Sequence, residues 1–194
     1  MAGFAYRAHV RALQLTRRWR RDERGAAAVE FAIIALPFLL LLVGLVSISL
    51  YFFTSFTMES AVLNAARAIR TGQLQQGQGA YSGLTTTEDK RNAFKTIMCS
   101  KAPTFLDCNN RAVVLVQSSG TFGGIVEPNC ASNGTMVNQT TAAFDPGSAS
   151  SVVLVTVCYA WKFGGQLPIF KISNLSDGSM LMQASAAFRT EPYS

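Results

Sequence analysis

The chain has 194 residues, of which 49% are hydrophobic and 14% charged, and this length suffices for one modest domain and an anchor. Its net charge of +6 is uneven, because residues 1–25 carry seven arginines against two acidic residues while residues 26–194 are nearly neutral. A nucleic-acid-binding domain carries its positive charge on the folded face that meets phosphate, so this distribution argues against nucleic acid as a partner.

The first predicted segment is a basic leader over residues 1–25. Arginine-rich flanks of an apolar helix stay in the cytoplasm, and the flank that follows this one is almost neutral. The leader is therefore expected in the cytoplasm and the rest of the chain beyond the helix on the other side of the membrane. The leader is either an amphipathic segment on the acidic inner leaflet or a disordered arm that only sets orientation.

A long helix is predicted over residues 26–72, with a transmembrane N-terminal part. Residues 26–56 contain one acid, Glu30, and no base. At about 1.5 Å per residue they are long enough to cross the ~30 Å hydrocarbon core. No small-residue cleavage site of a secretory signal follows them, so the helix is expected to be retained. Alanines favour its continuation to about Arg70, and Gly72 is the expected stop.

Pro37 lies inside the apolar run. Proline removes one helix hydrogen bond, so one interpretation is a kink or melted turn that lets helices bundle. The other is an ordinary membrane-helix proline, tolerated because neighbouring groups satisfy the backbone. The sequence leaves both open.

Residues 73–194 are predicted to form an α+β domain outside the membrane. A loop over 72–85 leads into a short helix that opens with the capping-box spacing Thr85 to Glu88 and ends near Ser100. Runs typical of strands follow at 111–117, 151–161 and 180–188. The excursion 119–150 is rich in Gly, Ser, Asn and Thr and contains a weak strand near Met136–Thr140. In the last strand one face is apolar, formed by Met180, Met182, Ala184, Ala186 and Phe188.

The fold class that follows is α+β. The outer third of the long helix is expected to pack against a small, mostly antiparallel sheet, because the helix is far longer than one bilayer needs.

All four cysteines lie after the apolar run, at Cys99, Cys108, Cys130 and Cys158. An even number in an exported region indicates disulfides, and their spacing and the absence of a nearby histidine argue against a metal site. Four cysteines allow three connectivities. The sequence-local one, Cys99–Cys108 with Cys130–Cys158, is the preferred hypothesis.

The sequence carries no motif of a known catalytic site. It has no Gly-rich phosphate loop, no HExxH and no GxSxG, and its single histidine, His9, lies in the leader. We therefore expect neither an enzyme nor a protein that holds a cofactor or metal.

Glu30 is the unexpected residue, since a charge inside a transmembrane helix costs roughly 2.5–3.5 kcal/mol on insertion scales. A peptidase that cuts between Gly25 and Ala26 would leave a free α-amine on the same helix as this carboxylate. The two charges pair within one chain or, after an axial shift, between stacked neighbours. Such a pair marks register more than it adds stability, which is the logic of a helical filament.

The stretch Gly25–Phe31, "GAAAVEF", resembles the processing motif of the type IV pilin superfamily: glycine, four residues, glutamate, then Phe or Tyr. Together with "RGAAAVEFAIIALPFLLLL", "NAARAIRTGQ" and "ASAAFRTEPY", it makes the chain similar to the TadE-like minor pilins (pseudopilins) of tight-adherence pilus systems. The resemblance implies a pilin-like fold and cleavage by a prepilin peptidase, with Glu30 and Phe31 serving assembly. It implies other pilins, pilus-assembly membrane proteins and the bacterial inner membrane as partners. The implied roles are pilus biogenesis, adhesion and biofilm formation, with possible incorporation into the extracellular pilus.

A different class also fits the layout. A single-pass anchored periplasmic domain that binds a ligand or senses a signal needs only the span and the outer domain. In that case Glu30 is an unprocessed interfacial carboxylate, since five residues from Gly25 correspond to only ~7 Å along a helix. Removal of the leader discriminates the two, because a sensor would keep it.

Overall fold

The computed structural model describes residues 23–165 and 173–193, so the predicted leader lies almost wholly outside the described residues. The chain divides into two compact units, Met1–Ile48 and Ser49–Ser194. The helices are α1 (Glu23–Arg70), α2 (Thr87–Cys99) and the single turn α3 (Cys108–Arg111). The strands are β1 (Ala112–Ser119), β2 (Ala131–Ser132), β3 (Thr135–Met136), β4 (Val152–Trp161) and β5 (Met180–Arg189).

Helix α1 is continuous over 48 residues and has Pro37 inside it. It ends where predicted, because Gly72 takes a left-handed conformation with φ +79° that a glycine adopts without steric cost. The Gly72 amide donates to the carbonyl of Ile69 at 3.1 Å and closes the last turn. The kink at Pro37 stays a prediction.

The outer part of α1 packs against the sheet of the second unit. Its buried side chains recur every three or four residues, which is the period of one helix face. They are Met58, Ala61, Val62, Ala65, Ala66 and Ile69. Small residues dominate this face and allow close approach to the strands. The α+β class with a long helix packed on an antiparallel sheet is thereby confirmed.

The main sheet has the order β1–β4–β5, with both pairs antiparallel. Every residue of the central strand β4 is buried, because both of its faces are covered. Helices α1 and α2 cover one face, and the excursion 119–150 covers the other, where Val113, Leu115 and Ala142 form a second cluster. The predicted apolar face of β5 does turn toward the helices.

Helix α2 begins one residue later than the predicted capping box. Thr86, and not Thr85, is the N-cap, and its hydroxyl oxygen accepts from the amide of Asp89 at 3.0 Å. The sequence "TTTED" offers the same spacing in two registers, 85 to 88 and 86 to 89, and the second of them caps the helix.

The excursion contains a two-residue hairpin turn that the sequence analysis missed. Asn133 and Gly134 have φ values of 51° and 73°, the pattern of a type I′ turn between β2 and β3. The Asn-Gly pair was the available signal. The predicted strand at Met136–Thr140 is wrong beyond Met136, because the Gln139 side-chain amide, rather than its backbone, bonds the edge of β1 at Val114.

Two disulfides fasten this unit. Cys99 is joined to Cys108, with Cα atoms 5.4 Å apart, and Cys130 to Cys158, with Cα atoms 5.5 Å apart. These are the pairs that the sequence-local hypothesis names. The first links the end of α2 to α3, and the second fastens the excursion to the central strand.

Replacing Gly72 with alanine should destabilise the fold by about 1–3 kcal/mol, since a left-handed alanine alone costs roughly 1–2 kcal/mol. A Cβ at this position would lie 2.5 Å from Cδ1 of Tyr193, so the ring must also move. Urea unfolding of the detergent-solubilised full chain measures the loss. Gly79→Ala is the matched control, because Gly79 has φ +60° and open space around its Cβ position. Equal losses at both positions would contradict the steric role of Tyr193.

Candidate functional site

The first candidate site is the N-terminal end of α1. Gly25, Ala26, Glu30 and Phe31 are all helical and all exposed. A Cβ added at Gly25 would meet no atom within 4 Å. Ala26 and Glu30 are four residues apart, so they lie on one helix face one turn from each other. Unit one thus presents this face without cover from any described residue.

Glu30 differs from two hydroxyl side chains of the apolar stretch, Ser47 and Thr54. The hydroxyl of Ser47 donates to the carbonyl of Val43 at 2.6 Å, and that of Thr54 to the carbonyl of Leu50 at 2.8 Å. Such bonds within the helix satisfy polar groups where no water is available. Over the described part of the chain, Glu30 makes neither a hydrogen bond nor an ion pair.

The surface of α1 around this carboxylate is apolar. Large exposed side chains extend from Val29 to Phe56, and no residue in 25–58 other than Glu30 is charged. Within the described residues, the helix Gly25–Arg70 is the one long and apolar enough to cross a membrane. This helix indicates a membrane anchor.

The second candidate site is the far end of α1, where the C-terminal segment binds it. The amide of Glu191 donates to the carbonyl of Arg70 at 2.8 Å, and their side chains pair with Nε–Oε1 at 3.5 Å. The Thr190 hydroxyl donates to the carbonyl of Ser148 at 2.7 Å. The ring of Tyr193 lies over Gly72. Two stretches that carried the family resemblance, "NAARAIRTGQ" and "ASAAFRTEPY", therefore meet in space.

A cavity of about 360 Å³ is the feature most relevant to a ligand-binding function. Arg111, Ser176 and Asp177 are among the residues that line it. The Arg111 guanidinium is engaged by the fold, since Nη1 donates to the carbonyl of Ala160 at 3.1 Å and Nε lies 3.9 Å from the Asp107 carboxylate. Hydrogen bonds from Ser179 lower the pKa of Asp177. The opposite charges in the cavity are fixed by these local contacts.

The structure brings together only some of the residues singled out in the sequence. Gly25, Ala26, Glu30 and Phe31 share the start of α1, and the four cysteines lie in the second unit. The contact of Arg70 with Glu191 was not predicted. Opposite charges about 120 residues apart give no local signal, and only the register of β5 brings them close.

Span, helix and sheet together define a protein class: a membrane-anchored α+β protein whose one apolar helix continues into a small antiparallel domain. Residues 25–67 match the family model described as TadE-like protein. The chain thus carries a TadE-like N-terminal region, consistent with a TadE-like protein of Tad pilus systems, and the predicted resemblance is confirmed. Neither the curated proteins nor the solved structures contain a significant match to the chain.

Proposed function

We propose that this chain is a minor pilin (pseudopilin) that a prepilin peptidase processes and that acts in assembly of an adhesive Tad-type pilus. The coarser conclusion, a Tad pilus-related protein, follows from the family match over residues 25–67. The finer one depends chiefly on Glu30, an exposed carboxylate within an apolar helix surface that no described residue neutralises.

The charge argument supports assembly. An ion in apolar surroundings is heavily penalised unless an opposite charge pairs with it. Cleavage after Gly25 would create an α-amine at Ala26, one helix turn from Glu30. In a stack of parallel helices, a small axial shift places this amine beside the carboxylate of a neighbour. Each subunit would then neutralise the next, and the pair would fix their register.

The proposed orientation of the chain in the membrane follows from the uneven distribution of its charged residues. The arginine-rich leader keeps the N-terminus in the cytoplasm, so the peptidase would act at the cytoplasmic face of the bacterial inner membrane. The second unit would then be periplasmic, where its two disulfides form and persist. Other pilins and pilus-assembly membrane proteins are the proposed partners.

Replacing Gly25 with leucine should abolish leader removal. Leucine would crowd the approach of the peptidase to the backbone, whereas glycine exposes it. The fold tolerates the change, since nothing lies within 4 Å of a Cβ at Gly25 and leucine is the better helix former. Intact mass of the membrane-extracted chain measures processing.

Gly44→Leu is the matched control, because Gly44 lies in the same helix with the same open surroundings. It should be processed like the wild type. If Gly25→Leu loses its leader at the normal rate, the proposed cleavage site is wrong. A sensor that keeps its leader would instead show the full mass in the wild type as well.

A further inference from the structure

Five exposed phenylalanines of the second unit lie on its part of α1 or on the segments that precede β1 and follow β4. We call this group the aromatic collar; its members are Phe52, Phe53, Phe56, Phe105 and Phe163. Exposed apolar side chains that occur singly are ordinary, but a contiguous group marks an interaction surface.

The collar lies at one end of the sheet. Register pairs Ala112, the first residue of β1, with Tyr159 near the end of β4, so the segments before β1 and after β4 meet there. The first contains Phe105 and the second contains Phe163. Tyr51 of α1 contacts Trp161 edge-on, with ring centroids 5.8 Å apart, and so places the start of the packed part of α1 at the same end.

The exposure of Phe105 is built into the fold and is not that of a loose loop. The Cys99–Cys108 disulfide closes its segment, and the next residue, Leu106, is 1% exposed and anchors it in the core. The Phe105 ring stacks on Phe53, with centroids 6.3 Å apart and an interplanar angle of 18°. Even so, Phe105 remains 52% exposed. Two apolar rings are thus held in place at the surface.

Charges of both signs lie near the collar, and the exposed carboxylate of Glu59, three residues after Phe56, is one of them. Lys101 and Lys162 are exposed, each within four residues of a collar phenylalanine. The nearby carboxylate of Asp107 is occupied by local donors, since it accepts from the Asn110 side-chain amide at 2.7 Å and faces Arg111. The surface therefore combines apolar rings with two lysines that form no ion pair with any described residue, and such lysines suit an anionic headgroup layer.

We propose that the aromatic collar, with Lys101 and Lys162, inserts into the headgroup layer at the C-terminal end of the span, so that the folded domain is seated on the bilayer. The headgroup layer is the proposed occupant because the collar follows the apolar span at the distance needed to cross a bilayer. Phe53 follows Gly25 by 28 residues, and 28 helical residues rise about 42 Å at 1.5 Å per residue. A bilayer with its headgroup regions is ≈ 40–45 Å thick, so a helix that enters at Gly25 leaves the membrane at the collar.

The test replaces Phe105 with the photoreactive analogue p-benzoylphenylalanine in the full chain. The protein is reconstituted into vesicles of phosphatidylethanolamine and phosphatidylglycerol and irradiated, and adducts are identified by mass. The matched control carries the same analogue at Phe122, which is 63% exposed but follows the opposite end of β1. Non-reducing peptide mapping verifies that both variants keep the two disulfides and hence the fold.

The expected result is phospholipid adducts at position 105 in several-fold excess over position 122. Equal lipid labelling at the two positions would overturn the proposal, since the collar would then have no preferred contact with the membrane. Adducts of position 105 with another copy of the chain, in place of lipid, would overturn it as well and would identify the collar as a subunit interface. Neither outcome depends on leader cleavage or on pilus assembly.

Discussion

Glu30→Gln should leave the protein inserted and processed but reduce its association with pilus partners by a few hundredfold or more. Glutamine preserves size and removes the charge, so insertion becomes easier by up to about 3 kcal/mol. The scissile bond precedes Ala26, and its surroundings do not change. The α-amine of a docked neighbour, however, would lose its partner in apolar surroundings, at a cost of roughly 3–5 kcal/mol. Each ~1.4 kcal/mol is a tenfold loss of affinity.

Three readouts separate these effects in one strain: membrane level, leader removal and crosslinking to other pilins. Glu59→Gln provides the control, since Glu59 is an exposed carboxylate of the same helix beyond the apolar stretch. It should assemble normally. A Glu30→Gln chain that crosslinks as well as the wild type would mean that the carboxylate is only an interfacial residue.

Loss of the Cys130–Cys158 disulfide should destabilise the second unit more than loss of the Cys99–Cys108 disulfide does. The double variant Cys130→Ala/Cys158→Ala opens a loop with a sequence separation of 28, whereas Cys99→Ala/Cys108→Ala opens one of 9. Loop-closure entropy predicts that the free energy of unfolding falls by about 3.5 kcal/mol for the first double variant and by about 2.5 kcal/mol for the second. The longer loop also carries the excursion, whose residues Cys130 and Ala142 cover the outer face of the sheet.

Urea unfolding of the full chain in detergent compares the two double variants. Alanine avoids free thiols and so prevents new pairings. Non-reducing peptide mapping of the wild type is the preceding step, since a peptide that links Cys99 to Cys130 or Cys158 would refute the pairing itself. A larger loss for the Cys99–Cys108 pair would show that strain or residual structure, rather than loop length, sets the stability here.

Local patterns accounted for most of the fold. The apolar run, the alanines after it and Gly72 predicted α1 to within two residues of its end, and alternation predicted the buried face of β5. These signals succeed because one face of each element must be buried. The excursion was harder to predict, since it contacts the backbone of β1 through the Gln139 side chain and contains only a two-residue hairpin.

One candidate site could be predicted from the sequence, and the contacts that form the others could not. The motif Gly25 to Phe31 is contiguous, so the sequence alone gathers it on one helix face. The ion pair of Arg70 with Glu191 and the ring contact of Phe105 with Phe53 join residues from distant parts of the chain. No periodicity encodes such contacts, because they depend on how the strands pair and where the disulfides close.

The N-terminus of the mature chain tests the central claim most directly. Protein extracted from the membrane of a strain with an active prepilin peptidase should begin at Ala26, with an intact mass reduced by that of residues 1–25. The same strain without the peptidase should yield the full chain. Wild-type protein that still begins at Met1 in the presence of the peptidase would contradict the account, since Glu30 would then have no new α-amine to pair with.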